Sequence, residues 1–100
     1  MEGKRVVVDP GHGGEEPGAV GPTGLLEKDV NLRVALALKE LLEARGAEVV
    51  LTRRGDETVP LSERARIISE AKPDLAVSVH HNSTPEPFEN RIEVYHPWTR

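Results

Sequence analysis

The alternation of short β-branched runs with amphipathic segments constrains the fold of this chain more than any other feature. Residues 4–8, 47–52 and 74–79 have the composition of buried strands, and residues 27–45 and 61–71 have helical periodicity. Each helical segment therefore connects two strands. Strands joined in this way run parallel, so the first three strands are predicted to form an open α/β sheet with flanking helices.

A fourth strand is predicted at residues 91–96. The connection before it, residues 82–90, is too short for a crossover helix, so we expect this strand to lie antiparallel to its neighbour. A chain of 100 residues has room for one domain, so residues 1–100 are interpreted as one α/β domain with the order β-α-β-α-β-β. A strand order of 2-1-3 would place the carboxyl ends of the first and third strands side by side.

Apolar spacing predicts which side of each helix is buried. The first helix is expected to end at Gly46 and to bury a stripe formed by Val30, Val34, Ala37, Leu38 and Leu41. The second is expected to be capped by Thr58 or Ser62, and to bury Leu61, Ala65 and Ile68. Arg53 is expected to pair with Asp56, and Arg64 to face Asp56 or the end of the sheet.

Charge and composition exclude several classes of function. The net charge is −4, there is no basic run, and only three residues are aromatic, so a nucleic-acid partner is not expected. No apolar run approaches the roughly 20 residues of a membrane span. The chain has no cysteine, which excludes disulfides and thiolate zinc sites. Its first residues show no signal peptide.

Three side chains able to bind a metal are predicted to meet at one edge of the sheet. His12 follows the first strand on a glycine-rich loop, and His80 follows the third strand. Glu27 opens the first helix, which begins near the same edge. Two imidazoles and one carboxylate are a common ligand set for a catalytic zinc with an open position for water. This prediction depends on the strand order.

The residues alone leave other interpretations open. The helix dipole is enough to explain Glu27 in a first turn, and His80 or His81 would also suit a hydrogen bond within a loop. A phosphate-binding role for the glycine-rich loop ranks last, because the loop lacks the Gly-Lys-Ser/Thr of a P-loop.

Five motifs, in order along the chain, resemble those of a known family. They occupy residues 6–14 (VVVDPGHGG), 27–32 (EKDVNL), 51–53 (LTR), 61–64 (LSER) and 78–83 (SVHHNS). The chain resembles the zinc-dependent N-acetylmuramoyl-L-alanine amidases of the amidase-3 type, which are cell-wall hydrolases.

The resemblance implies one Zn²⁺ held by His12, Glu27 and His80. It implies cleavage of the amide between N-acetylmuramic acid and L-alanine in peptidoglycan, outside the cytoplasm. His81 stands where the family commonly has alanine, and is interpreted as a neighbour of the substrate or of the ligands. Asn82 is given the same interpretation.

The chain also departs from the family. The family domain is longer, and a late segment supplies a second glutamate as general acid/base. Glu86, Glu89 and Glu93 do not match that segment, so the catalytic acid/base is unknown here and we expect weak or absent hydrolysis. The alternative is a non-catalytic, zinc-containing module that binds peptidoglycan or muropeptides. An uncovered sheet edge would also favour self-association.

Overall fold

A four-stranded sheet organises the computed structural model, which describes residues 1–82 and 89–95, with side chains described for residues 1–81. Its elements are β1 (Arg5–Pro10), α1 (Glu27–Ala44), β2 (Glu48–Leu51), α2 (Leu61–Ala71), β3 (Leu75–Asn82) and β4 (Glu89–Tyr95). The strand order is β2-β1-β3-β4. β1 runs parallel to β2 and β3, and β4 runs antiparallel to β3. The predicted α/β class, the 2-1-3 order and the antiparallel fourth strand are confirmed.

Two strands extend further than predicted. β1 continues through Pro10, which pairs with Val79 of β3. β3 continues through Asn82, and β4 already begins at Glu89, so the predicted loop over residues 82–90 is too long. His80 and the residue after it therefore lie within a strand, where successive side chains point to opposite faces of the sheet.

The apolar core lies between the sheet and α1. Its buried members are Val6, Val8, Ala35, Ala47, Leu51, Val77 and Val79, with Val34, Leu38 and Leu42 packed against them. The predicted stripe is wrong at Leu41, which is 60% exposed, and at Ala37, which is also exposed. The cause is the burial of two polar residues, Glu27 and Asn31, which rotates the buried side of the helix away from the apolar periodicity.

α2 covers the opposite face with a polar contact at its centre. Arg64 is its buried residue, whereas Leu61 is 85% exposed and Ala65 is exposed, so the predicted burial of these two apolar residues is wrong. The residue at the N-cap is Pro60, and no side chain caps the helix. Among the residues that the structure describes, no helix is long and apolar enough to cross a membrane.

Candidate metal centre

The three predicted ligands meet at the carboxyl edge of the sheet. One nitrogen of His12, one of His80 and a carboxylate oxygen of Glu27 all lie within 4.8 Å of one another. His12 Nε2 lies 3.3 Å from Glu27 Oε1, and His80 Nδ1 lies 3.3 Å from Glu27 Oε2. The two imidazole rings are nearly perpendicular, with centroids 5.5 Å apart. The structure thus brings together one side chain each from the β1–α1 loop, from α1 and from β3.

This donor set suits a small divalent cation. Two atoms bound to one tetrahedral zinc at about 2.0–2.1 Å lie about 3.3 Å apart. Each imidazole nitrogen lies this far from one of the two Glu27 oxygens, and one donor atom from each of the three residues lies within 4.8 Å of the others. Both imidazoles are partly exposed, so the cluster opens to solvent on one side. A ligand set of this kind leaves a coordination position for water or substrate.

Buried donors hold the Glu27 carboxylate in place. Burial alone would raise its pKa, but hydrogen bonds from the backbone amides of Ala19 and His81 and from the Asn31 amide, together with nearby His12, lower the pKa below its usual value. The amide contacts measure 2.9 Å from Ala19, 3.0 Å from His81 and 3.2 Å from Asn31. Glu27 is therefore ionised at neutral pH, the form in which a carboxylate binds a metal.

Two buried arginines hold the loop that carries His12. Arg53 and Arg64 both donate to the carbonyl of Pro10, at 3.1 and 2.7 Å. Arg53 also donates to Gly11 O at 3.0 Å, and Arg64 to His12 O at 2.7 Å. His12 has a φ of +61°, which is uncommon for a residue with a side chain. The arginine contacts on three successive carbonyls stabilise this backbone conformation.

Two glycines leave room for the ligand side chains. A Cβ at Gly11 would lie 2.5 Å from the ring of His80. A Cβ at Gly18 would lie 2.5 Å from Glu27 Oε1 and 2.6 Å from His12 Cδ2. Any larger residue at either position would displace one of these three side chains. Gly18 has a φ of +72°. A second loop glycine, Gly24, also has a positive φ, of +83°, but a Cβ there would face open space.

His81 lies on the other face of β3 from His80 and is not a member of the cluster. Its Nδ1 lies 2.7 Å from Asn31 Oδ1, and its backbone amide binds Glu27. Burial lowers the pKa of the His81 imidazole, Glu27 opposes the shift and His80 adds to it. His81 therefore contacts both the Glu27 carboxylate and the Asn31 side chain that donates to it. The side chain of Asn82 lies outside the described residues, so its predicted role stays a prediction.

The sequence interpretation missed most of the groups that surround the ligands. Asn31 could have been found, because it lies one helical turn after Glu27 and must share its face. The predicted pair of Arg53 with Asp56 is wrong, since Asp56 binds Lys28 at 2.9 Å. Arg64 faces the end of the sheet, one of the two predicted places, where it contacts Asp9 at 2.5 Å.

Asp56, whose side chain is exposed, helps to hold the glycine-rich loop in place. Its carboxylate accepts hydrogen bonds from the Lys28 ammonium and from the backbone amide of Gly14. These two contacts, in that order of size, lower the pKa of Asp56 below its usual value. The same loop is held at Glu15, whose amide donates to the hydroxyl of Thr58, one of the predicted helix caps.

A groove of about 440 Å³ adjoins the cluster. His12 and His80 line this groove, together with the α2 side chains of Leu61, Ala65 and Ile68. The cluster thus lies beside an open groove lined by both polar and apolar side chains.

Comparison with known proteins gives the chain a family. The sequence profile of the amidase-3 family, described as N-acetylmuramoyl-L-alanine amidase, matches residues 6–97. The N-acetylmuramoyl-L-alanine amidase LytC of Bacillus subtilis is 40% identical over 97 residues, which cover 97% of this chain and 19% of that protein.

Solved structures agree with the profile in fold and in sequence. The N-acetylmuramoyl-L-alanine amidase AmiC2 of Nostoc punctiforme aligns with a TM-score of 0.79 and 44% identity, over 84% of this chain and 47% of that one. The catalytic domain of the amidase CwlV from Bacillus (Paenibacillus) polymyxa aligns with a TM-score of 0.78 and 39% identity, over 83% and 48%. The chain thus spans about half of these two structures, and it belongs to the amidase-3 family of N-acetylmuramoyl-L-alanine amidases.

Proposed function

We propose that residues 1–100 are part of the catalytic domain of a zinc-dependent cell-wall amidase that acts outside the cytoplasm. Its substrate is the amide between N-acetylmuramic acid and L-alanine in peptidoglycan. The observation that carries the proposal is the convergence of His12, Glu27 and His80 within 4.8 Å, in a chain that belongs to this family.

Each of the three proposed ligands has its own role at the site. A zinc ion bound there would polarise the substrate carbonyl and lower the pKa of a bound water towards neutrality. Glu27 supplies the negative charge, held in place by three hydrogen bonds. His12 and His80 would each supply a ring nitrogen in the neutral form in which histidine binds a metal, and the groove beside them would receive the substrate.

The first experiment measures zinc stoichiometry. We expect one zinc per chain in the wild type, and an affinity more than about 100-fold weaker in Glu27→Gln, because loss of a ligand exceeds the loss of a supporting partner. Glu40→Gln is the matched control, since Glu40 is exposed on the same helix. Absence of stoichiometric zinc in the wild type, or equal affinity in both variants, would contradict the proposed site.

The second experiment measures cleavage. Zinc-loaded protein is incubated with a muramoyl-peptide, and the newly freed amino group of L-alanine is labelled and counted. Release that depends on zinc and on Glu27 supports the amidase. Because no residue of this chain matches the family's second glutamate, we expect this release to be weak. Zinc-dependent binding of the muramoyl-peptide with no release above that of Glu27→Gln would favour the alternative, a recognition module.

A further inference from the structure

We propose that Asp9 and Ser78 act as positioning residues that keep the imidazole proton of His80 on Nε2 and leave Nδ1 free to bind the metal. The metal-binding part of this inference rests on the zinc site proposed above. The assignment of the proton rests on contacts within the chain, so it can be tested on the protein without metal.

The sheet itself lines up the three groups. Ser78 and His80 lie two residues apart on β3, so their side chains share one face of the strand. Asp9 on β1 is the register partner of Ser78. As a result, Ser78 Oγ lies 3.0 Å from Asp9 Oδ2 and 3.0 Å from His80 Nε2.

The number of available hydrogens sets the direction of this chain of contacts. The other oxygen of Asp9 accepts hydrogen bonds from Arg64 at 2.5 Å and from the hydroxyl of Thr52 at 2.6 Å. A carboxylate that faces a guanidinium acts only as an acceptor, so the Ser78 hydroxyl must donate its single hydrogen to Asp9. Ser78 Oγ can then only accept from His80, which requires that Nε2 carries the proton.

This assignment agrees with the position of the ring in the cluster. With the proton on Nε2, the lone pair of a neutral imidazole is on Nδ1, which lies 3.3 Å from Glu27 Oε2. Both atoms are then acceptors, so they are placed to share a bound cation. Histidine ligands commonly donate their other ring N–H to a carboxylate or a similar partner, which fixes the tautomer and the ring orientation. Here a serine stands between the imidazole and the carboxylate.

Asp9→Asn is the sharpest perturbation. The guanidinium of Arg64 can only donate, so it holds the carbonyl oxygen of the new amide on its own side, and the amide NH₂ must face Ser78. Ser78 then accepts from the amide and donates to His80 Nε2, which moves the imidazole proton to Nδ1. The substitution therefore reverses the direction of the hydrogen bonds and blocks the ligating nitrogen.

The tautomer is measured directly by long-range ¹H–¹⁵N NMR of the metal-free protein at pH 8.5, above the ordinary titration range of histidine. We expect His80 to be protonated on Nε2 in the wild type and on Nδ1 in Asp9→Asn. Protonation on Nδ1 in the wild type, or an unchanged tautomer in a folded Asp9→Asn variant, would overturn the proposal. This readout does not depend on whether the protein binds zinc.

Metal affinity gives a second readout, by competition with a chromophoric chelator. Ser78→Ala removes the hydroxyl without removing the ion pair of Asp9, and we expect it to weaken zinc binding by about 10–100-fold. Ser78→Thr keeps the hydroxyl and should restore binding, while Ser69→Ala on the exposed side of α2 should match the wild type. Equal zinc affinity in Ser78→Ala and Ser69→Ala would refute the positioning role even if the wild type binds zinc.

Discussion

Replacement of Arg64 by methionine tests how the chain holds the loop that carries His12. The Arg64 guanidinium is almost fully buried and contacts the Asp9 carboxylate, whose side chain is only 13% exposed. It also donates to the carbonyls of Pro10, His12 and Val59. The substitution retains most of the side-chain volume, so the main effect is the loss of a cation from a buried polar site.

The expected loss of stability is large. Removal of one partner of a buried ion pair costs about 3–5 kcal/mol, because the remaining charge stays buried without compensation. A domain of this size has a free energy of unfolding of about 5–15 kcal/mol, so Arg64→Met is expected to lose a large part of it. Urea denaturation at pH 7, followed by circular dichroism, measures the difference in the free energy of unfolding.

The matched control is Arg66→Met, two residues further along the same helix. Arg66 also forms two ion pairs, with Glu63 and Glu70, but all three side chains are exposed, and exposed pairs contribute little. If both variants lose similar stability, the argument from burial is wrong. The double variant Asp9→Asn/Arg64→Met gives an independent check. It should be less destabilised than the sum of its single changes, because the uncompensated charge is gone.

Three further predictions follow from the loop and the sheet edge. Gly18→Ala should weaken zinc binding at least 10-fold, whereas Gly24→Ala should not, because both substitutions strain a positive φ but only a Cβ at Gly18 would touch Glu27 and His12. Equal zinc affinities of the two variants, measured by chelator competition, would contradict this prediction. Asp56→Asn should be less stable than the wild type at pH 7. Because the pKa of Asp56 is lowered in the folded protein, this difference in urea midpoint should vanish as the pH falls below about 3.9 and through the lowered pKa. A difference that does not depend on pH would contradict the prediction. β4 is at one end of the described sheet, so sedimentation should detect dimers that pair through this edge. Ile92→Pro or Val94→Pro should abolish these dimers. A monomer at all concentrations would contradict the prediction.

The strands, the helices and the strand order of this protein are predicted well from its sequence, because they depend on local signals. The valines of β1 are 0–1% exposed, as expected for a strand covered on both faces. Gly46, with a φ of +89°, follows α1 where the helix was predicted to end. Parallel pairing then follows from the crossover lengths, and the meeting of His12 with His80 follows from the strand order.

The sequence does not predict which polar residues are buried, because that depends on partners distant in the chain. Apolar periodicity assumes that a helix buries its apolar residues, yet α1 buries Glu27 and Asn31 and exposes Leu41. α2 likewise buries Arg64 and leaves Leu61 exposed. The partners of these groups are more than 40 residues away in several cases, such as Asp9 for Arg64. No window of local sequence contains both members of such a pair.

The polar residues that interrupt the apolar pattern of the helices support the side chains of the candidate metal site. A buried carboxylate requires donors that compensate its charge, and the uncommon positive φ of His12 requires surrounding contacts that stabilise it. Asn31 meets the first requirement and Arg64 the second. Polar residues that break the buried stripe of a helix therefore mark the elements that hold a site, so in a related chain they would be the first positions to test for a role in metal binding.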